Sequence, residues 1–245
     1  MKINIKDNFK GLFFFRGWHP EVALRYLPIV SKILKMGRNI SVLDVGSGGL
    51  GIAPYLRRPV TGLDLKFKPP YHERLMKIKA SVLKLPFADS TFDAVVSVDM
   101  LEHLEQKDRS RAISEMLRVC KKTLFLAVPC GRLSWEQDVR LSGFYKKKYG
   151  KAYHFFEEQI GFGLPEWQDL ENQIHISARA LNKKIRLESQ DNENLRLREF
   201  LMKGWMTKNT LVDIFFRKVL LLALPIMNKM KGKHGYRRIF TAHII

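Results

Sequence analysis

The chain becomes periodic at Pro20, after which Val22, Leu24, Leu27, Val30, Ile33 and Leu34 recur at helical spacing and predict a helix over residues 20–36. The period then changes. Ile40-Ser-Val-Leu-Asp-Val45 is a short β-branched run ending in Gly46-Ser-Gly-Gly-Leu-Gly51, which reads as a buried strand turning into a helix. Further strands are predicted at Val60–Asp64, Lys77–Ala80, Phe92–Val98 and Thr123–Val128, the last stopped by Pro129, with a helix over residues 108–120. Strands and helices alternating at this spacing imply βαβ units and a parallel sheet. Beyond residue 130 the alternation stretches out. A helix is expected after Pro165, a sixth strand at Lys184–Glu188, two helices across residues 190–232 and a closing strand at Tyr236–His243.

A length of 245 residues fits one domain, or one domain with a sizeable insertion, and 46% hydrophobic content supports a buried core without suggesting disorder or a membrane span. Charge adds something. Forty-three Lys and Arg against twenty-four Asp and Glu leave +19, a balance that serves solubility and also favours polyanionic neighbours such as nucleic acid or anionic lipid headgroups. Cys120 and Cys130 make no disulfide framework, and no CxxC spacing suggests zinc, so no metal site is expected. The Leu12–Phe15 run, cut short by Arg16, is too brief for a secretory signal. The expected location is therefore cytoplasmic, with a peripheral membrane position open.

The glycine turn carries the first chemistry. Gly46-x-Gly48-x-x-Gly51 lies between a strand and a helix, and Asp64 closes the second strand where a carboxylate can accept ribose hydroxyls. NAD and S-adenosylmethionine both suit that arrangement. Asp44, two residues before the first glycine, favours the second: a carboxylate repels a pyrophosphate and attracts the methionyl ammonium. The competing reading of Asp44 is a cap on the following turn.

Four blocks together resemble the type-11 group of class I methyltransferases: Val42–Gly48, Thr61–Asp64, Leu85–Asp93 and Val95–Leu104, in the order and spacing of that group. The resemblance covers residues 38–130. It implies an α/β, Rossmann-like, seven-stranded and mostly parallel sheet whose last strand is antiparallel, with S-adenosylmethionine as cofactor. By position it implies that Asp44, Gly46, Ser47 and Gly48 line the methionyl moiety and Asp64 holds the ribose. Leu65 would pack near the adenine, and Asp99 and Met100 would close the methyl-bearing side. Two positions depart from the group. Leu50 stands where a third close glycine is common, and Ser81 where an acidic residue often meets the adenine amino group. The Ser81 oxygen can still accept that bond, and the Val82 amide can serve the ring.

Methyl transfer from a sulfonium needs alignment and, for a hydroxyl or amine nucleophile, a proton acceptor. Asp99 and His103 follow the fourth strand at the rim where parallel sheets bind ligands, and a helix beginning near Asp99 would put both on one face. They are the general-base candidates, against readings as a helix cap and a packed histidine; Glu102 is expected to hold backbone. Residues 131–164 interleave Trp135, Tyr145, Tyr149, Tyr153, His154, Phe155 and Phe156 with Arg140, Lys146, Lys147, Lys148 and Lys151, as a lid or an acceptor-binding region would.

Residues 196–238 hold eleven Lys and Arg against two acids, and Leu211, Ile214, Phe215, Val219, Leu220, Leu222 and Ile226 form a broad apolar surface there. The wholly apolar run Val219–Met227 is too short to span a bilayer, but it can pack on its own domain or a partner, or lie on an anionic surface. The sequence thus predicts a single methyltransferase domain over residues 1–245 with a basic helical insertion at 190–232. The expected acceptor is a small molecule, lipid or glycan precursor. RNA methylation and a nucleoside-binding module without turnover are the alternatives.

Overall fold

A computed structural model describes residues 19–230 and 234–245. The Leu12–Phe15 run and residues 231–232 of the insertion lie outside the described residues.

Helix α1 (Pro20–Lys35) starts where the pattern places it. His19 caps it by accepting the Glu21 N–H, and Pro20 in the first turn gives up no intrahelical bond. The strands and helices that follow are β1 (Val42–Val45), α2 (Ala53–Leu56), β2 (Val60–Asp64), β3 (Leu75–Lys79) and β4 (Phe92–Val98), then a 3-10 turn (Leu101–His103). Next come α3 (Gln106–Val119), β5 (Cys120–Pro129), α4 (Gly131–Tyr149), α5 (His154–Phe162) and α6 (Trp167–Ala180). Strand β6 (Ile185–Asn194) leads into α7 (Leu195–Trp205), α8 (Thr210–Arg217), a second 3-10 turn (Val219–Ala223), α9 (Leu224–Met227) and β7 (Gly235–Ile244).

The seven strands form one sheet in the order β3-β2-β1-β4-β5-β7-β6. β1 to β5 pair in parallel, and β7 runs antiparallel to both β5 and β6. The expected architecture, a mostly parallel Rossmann-like sheet with an antiparallel last strand and a helical insertion before it, is the one observed.

Two cores sandwich the sheet, and β5 shows why. Leu124, Leu126 and Val128 point to the face covered by α3 and α6, where Ile113, Leu117, Leu170 and Ile174 wait. Phe125 and Ala127 point to the other face, against Tyr26, Ile29 and Ile33 of α1. Alternation of this kind, with both faces covered, gives the near-continuous apolar runs by which β4 and β5 are legible.

Some boundaries differ from the sequence expectation. β3 begins at Leu75, two residues early, and β5 begins at Cys120. β6 runs on to Asn194, so the insertion starts at Leu195 and not at 190. The second half of β6 is Ser-Gln-Asp-Asn-Glu-Asn, which has no apolar pattern; it is a strand because β7 pairs along it, through Ser189↔Phe240, Asp191↔Arg238 and Asn194↔Gly235.

Candidate active site

The strand order reverses between β1 and β4, and the carboxyl ends of β1, β2 and β4 open there into a crevice. The glycine turn after β1 forms its floor. The Gly46 and Ser47 N–H groups donate to the Leu63 carbonyl at 2.8 and 3.3 Å, and the Gly48 N–H donates to Asp64 Oδ2 at 2.9 Å. Asp64 Oδ1 accepts the Lys66 N–H at 3.0 Å, so its carboxylate is fixed at the rim. Gly46 has a left-handed φ of +78°, and a Cβ on it would lie 2.5 Å from Met100 Cγ: glycine is needed for both the turn and the approach of the β4 loop.

The crevice is a cavity of about 660 Å³, a volume usual for cofactor sites. Gly46, Ser47, Gly48, Asp64, Leu65, Ser81, Val82, Asp99, Met100 and His103 all line it, so ten of the eleven residues singled out by sequence meet in one place. Leu65 is 63% exposed, an aliphatic side chain held open at the rim. The Ser81 hydroxyl oxygen accepts the Leu83 N–H at 3.2 Å, ordering its own turn as well as facing the cavity.

The eleventh residue, Asp44, does not line the cavity. Its carboxylate lies under the turn, 1% exposed, and Oδ2 accepts the Ile52 N–H at 2.7 Å. The expected direct contact with a methionyl ammonium is therefore corrected: the capping reading describes the observed bond, and any attraction to an ammonium acts through the turn. Burial pushes the Asp44 carboxyl up to about 7, against the Ile52 bond, which favours the anion. Gly51, and not the Leu50 position, supplies the close glycine. At φ +49° its Cβ would sit 2.1 Å from Asp44 Oδ2.

Asp99 also departs from expectation. No α-helix begins there; Asp99 has φ +51° and precedes the 3-10 turn, so its proximity to His103 does not come from helical spacing. Its carboxylate is gripped by Arg237 through Nε and, at 2.6 Å, Nη2, while Arg25 Nη1 stands at 2.9 Å. Burial alone would raise this carboxyl, but Arg237 and Arg25 reverse the effect and hold it below the usual carboxylate range. A carboxylate so stabilised as an anion is a poor proton acceptor. Its geometry suits it to orienting Arg25 at the cavity wall.

The group continues inward. Arg237, fully buried, also donates to Asn192 Oδ1 and Glu193 Oε2, both at 3.1 Å. Arg25 pairs with Glu21, and Arg198 donates to Asp138 at 2.9 Å while stacking on Tyr236. Sequence reading missed all of these. Arg198 and Arg237 are among the eleven cations counted over residues 196–238, but both are interior. Glu102 is buried too, and its carboxylate accepts from Gln159 Nε2 at 3.3 Å and from its own backbone N–H. Burial and the charge on Asp99 push its carboxyl well above the ordinary range.

His103 has a different setting. Its Nδ1 lies 2.8 Å from Glu158 Oε2, and the other Glu158 oxygen lies 2.8 Å from Nε2 of the exposed His154. Burial lowers the His103 pKa more than Glu158 raises it, so the ring is neutral at neutral pH. A carboxylate at Nδ1 fixes the proton there and leaves Nε2 as an acceptor.

A second cavity of about 340 Å³ adjoins the first and shares Arg25, Asp99, His103 and Phe155 with it. Its far walls come from the lid and the insertion: Tyr153, Phe156 and Gln159, with Met202, Trp205 and Arg217. The aromatic stretch thus divides. Tyr153, Phe155 and Phe156 face the cavity, whereas Tyr145 and Tyr149 stack on each other and Trp135 bonds the Ile160 carbonyl. Lys146, Lys147 and Lys148 form the last turn of α4, away from either cavity lining. Among the described residues no cluster of His, Cys, Asp and Glu could hold a metal ion, and no helix is long and apolar enough to cross a membrane.

Solved structures share this architecture. A Haloferax volcanii chain described as a methyltransferase, in complex with a methyltransferase activator, superposes with TM-score 0.53 at 13% identity, over 98% of this chain and 94% of that one. A Burkholderia thailandensis 1,6-didemethyltoxoflavin-N1-methyltransferase, solved with 1,6-didemethyltoxoflavin and S-adenosylhomocysteine, gives 0.51 at 16% identity over 98% and 86%. A Synechocystis magnesium protoporphyrin IX methyltransferase with bound S-adenosylhomocysteine gives 0.50 at 13% over 99% and 89%. Identities this low speak for the fold. No curated protein matches the chain. Residues 43–128, the stretch that builds the glycine turn, Asp64 and the β4 rim, match the family model described as a methyltransferase domain, and over that stretch the chain is similar to the type-11 group of S-adenosylmethionine-dependent methyltransferases.

Proposed function

We propose that this enzyme methylates a hydroxyl or amine of an acceptor held in the second cavity, with His103 as the proton acceptor. The observation that carries the reading is the position of His103 at the junction of the two cavities, with Nδ1 engaged by Glu158.

In the first cavity the Gly46–Gly48 backbone would cradle the methionyl part, above the buried Asp44 charge, and Asp64 would take the ribose hydroxyls. Leu65, Ser81 and Val82 would hold the adenine, and Met100 the methyl-bearing side. S-adenosylmethionine supplies an electrophilic methyl group whose sulfur leaves without needing an acid. What remains for the protein is alignment and removal of the acceptor proton. His103 Nε2 takes that proton while Glu158 stabilises the resulting imidazolium through Nδ1. Glu158 also reaches the exposed His154, which offers the proton a way to solvent. Arg25, steadied by Asp99 and Glu21, presents positive charge to the acceptor.

The size of the second cavity favours a small molecule or a single headgroup; RNA would have to present one flipped base to it. Thermal shift with S-adenosylhomocysteine and NADH establishes the cofactor preference, and an acceptor screen with radiolabelled methyl donor follows. Cofactor binding without turnover of any small-molecule, lipid or RNA acceptor would return the reading to a nucleoside-binding module.

A further inference from the structure

The insertion between β6 and β7 has two apolar faces, and the fold buries one of them. Phe216, Leu221, Leu224 and Met227 are buried against Ala23 and Leu24 of α1 and Leu197 and Leu201 of α7. Leu211, Ile214 and Phe215, spaced i, i+3, i+4 on α8, are 77%, 48% and 44% exposed. Val219 and Leu222 repeat at the three-residue spacing of the 3-10 turn, and Ile226 continues the row on α9; Leu222 is 77% and Ile226 70% exposed. Six large aliphatic and aromatic side chains facing solvent on one short helical segment exceed the scattered apolar exposure normal for a protein surface.

The charges around this row decide what covers it. Glu199 and Asp213 are the only acids between residues 195 and 230, and Lys203 and Arg217 pair with them at 2.7 and 2.6 Å. Exposed Lys208 and Lys229 flank the row at its two ends and leave it net positive. The whole chain carries +19, so a second copy docking here would bring like charges together. An anionic bilayer meets both demands, accepting the apolar side chains below the headgroups and the lysines among them.

We propose that the outer face of α8, the second 3-10 turn and α9 docks on an anionic membrane surface, with Leu211, Phe215, Leu222 and Ile226 inserted. Because Met202, Trp205 and Arg217 of the same insertion wall the second cavity, docking brings that cavity to the lipid interface.

The test is co-sedimentation of the full chain with vesicles of phosphatidylcholine alone and of phosphatidylcholine with about a third phosphatidylglycerol. Binding is expected to the anionic vesicles only and to weaken as salt rises from about 0.1 to 0.5 M. The double substitution Leu211→Ser/Leu222→Ser is expected to weaken it at least about tenfold. These side chains touch little of the fold, so the S-adenosylhomocysteine thermal shift should persist, which separates docking from cofactor binding. Ile226→Ser repeats the test on the other helix should the double variant lose that shift. Failure of the full chain to bind anionic vesicles overturns the proposal. So does binding that neither substitution weakens, or a dimer in solution that the same substitutions dissociate.

Discussion

A methionyl ammonium resting on the glycine turn would couple cofactor binding to the protonation of Asp44 beneath it. Desolvation beneath the glycine turn lifts its carboxyl from 3.8 to about 7, whereas the unfolded chain releases that proton at the lower value. The native state therefore holds a proton that the unfolded state has lost across about three pH units. Stability from this source is fully present below the unfolded value and is lost as pH rises through about 7. At roughly 1.4 kcal/mol per unit it amounts to about 4 kcal/mol. A methionyl ammonium resting on the turn above would reverse the preference and favour the anion. Binding should then release a proton near pH 7, and affinity should fall about tenfold for each unit below it. Above about pH 8 the cofactor's own α-amino group deprotonates, so the optimum should lie between about 7 and 8. Asp44→Asn keeps a carbonyl oxygen for the Ile52 N–H while removing the charge. It should be at least as stable as the parent at about pH 8, bind S-adenosylhomocysteine at least about tenfold more weakly, and lose the pH dependence below 7. Isothermal titration in two buffers of different ionisation enthalpy counts the released proton, and urea denaturation against pH reads the stability. A wild-type affinity that is flat across this range with no proton released, or an Asp44→Asn variant that binds as tightly as the parent, would refute the reasoning.

Gly51→Ala should cost about 2–3 kcal/mol in urea unfolding, because its Cβ would sit 2.1 Å from Asp44 Oδ2 at φ +49°; an unchanged midpoint would count against the packing described. His103→Asn should lower kcat about 10²–10⁴-fold once an acceptor is found while leaving the cofactor Kd within about twofold, and a normal kcat would remove His103 from the chemistry. Glu158→Gln should move the acid limb of the kcat profile to lower pH, since Glu158 is the partner that raises His103 against its burial; a limb that stays put would detach Glu158 from the base. Arg237→Met leaves Asp99 and Glu193 buried without their cation and should cost about 3–5 kcal/mol, a melting shift of about 10 °C or more, and a shift under about 3 °C would show that Arg25 suffices.

Much of this was legible in the sequence. Phe92–Val98 and Val60–Asp64 read as strands because both faces of the sheet are covered, and an apolar run then marks the element directly. The rim residues follow, since a βα turn fixes what succeeds each strand. What failed was anything set by long-range pairing. Asp99 looks like a base at the end of a strand; that Arg237, 138 positions later, grips it depends on the register of β7 against β5. Likewise Arg198 is indistinguishable in sequence from the surface cations of its helix until Asp138 and Tyr236 are placed around it. Asp44 stands at the end of β1 beneath the glycine turn, but a side chain's direction at a strand end alternates residue by residue. The turn that follows decided it.

The placement of β7 has a consequence for how the enzyme comes into being. It lies between β5 and β6, and among the described residues β6 pairs with no other strand. The same strand delivers Arg237 to Asp99. During synthesis, β1 to β5 can assemble as each emerges, along with the glycine turn. The insertion can already settle on α1, but β6 has no strand to pair with until the last ten strand residues arrive and thread between it and β5. The nascent chain can thus own a cofactor crevice before it owns a junction with the second cavity. An intermediate stalled at that point would leave the β5 and β6 edges unpaired together, which makes the final strand the step where chaperone dependence and aggregation should concentrate.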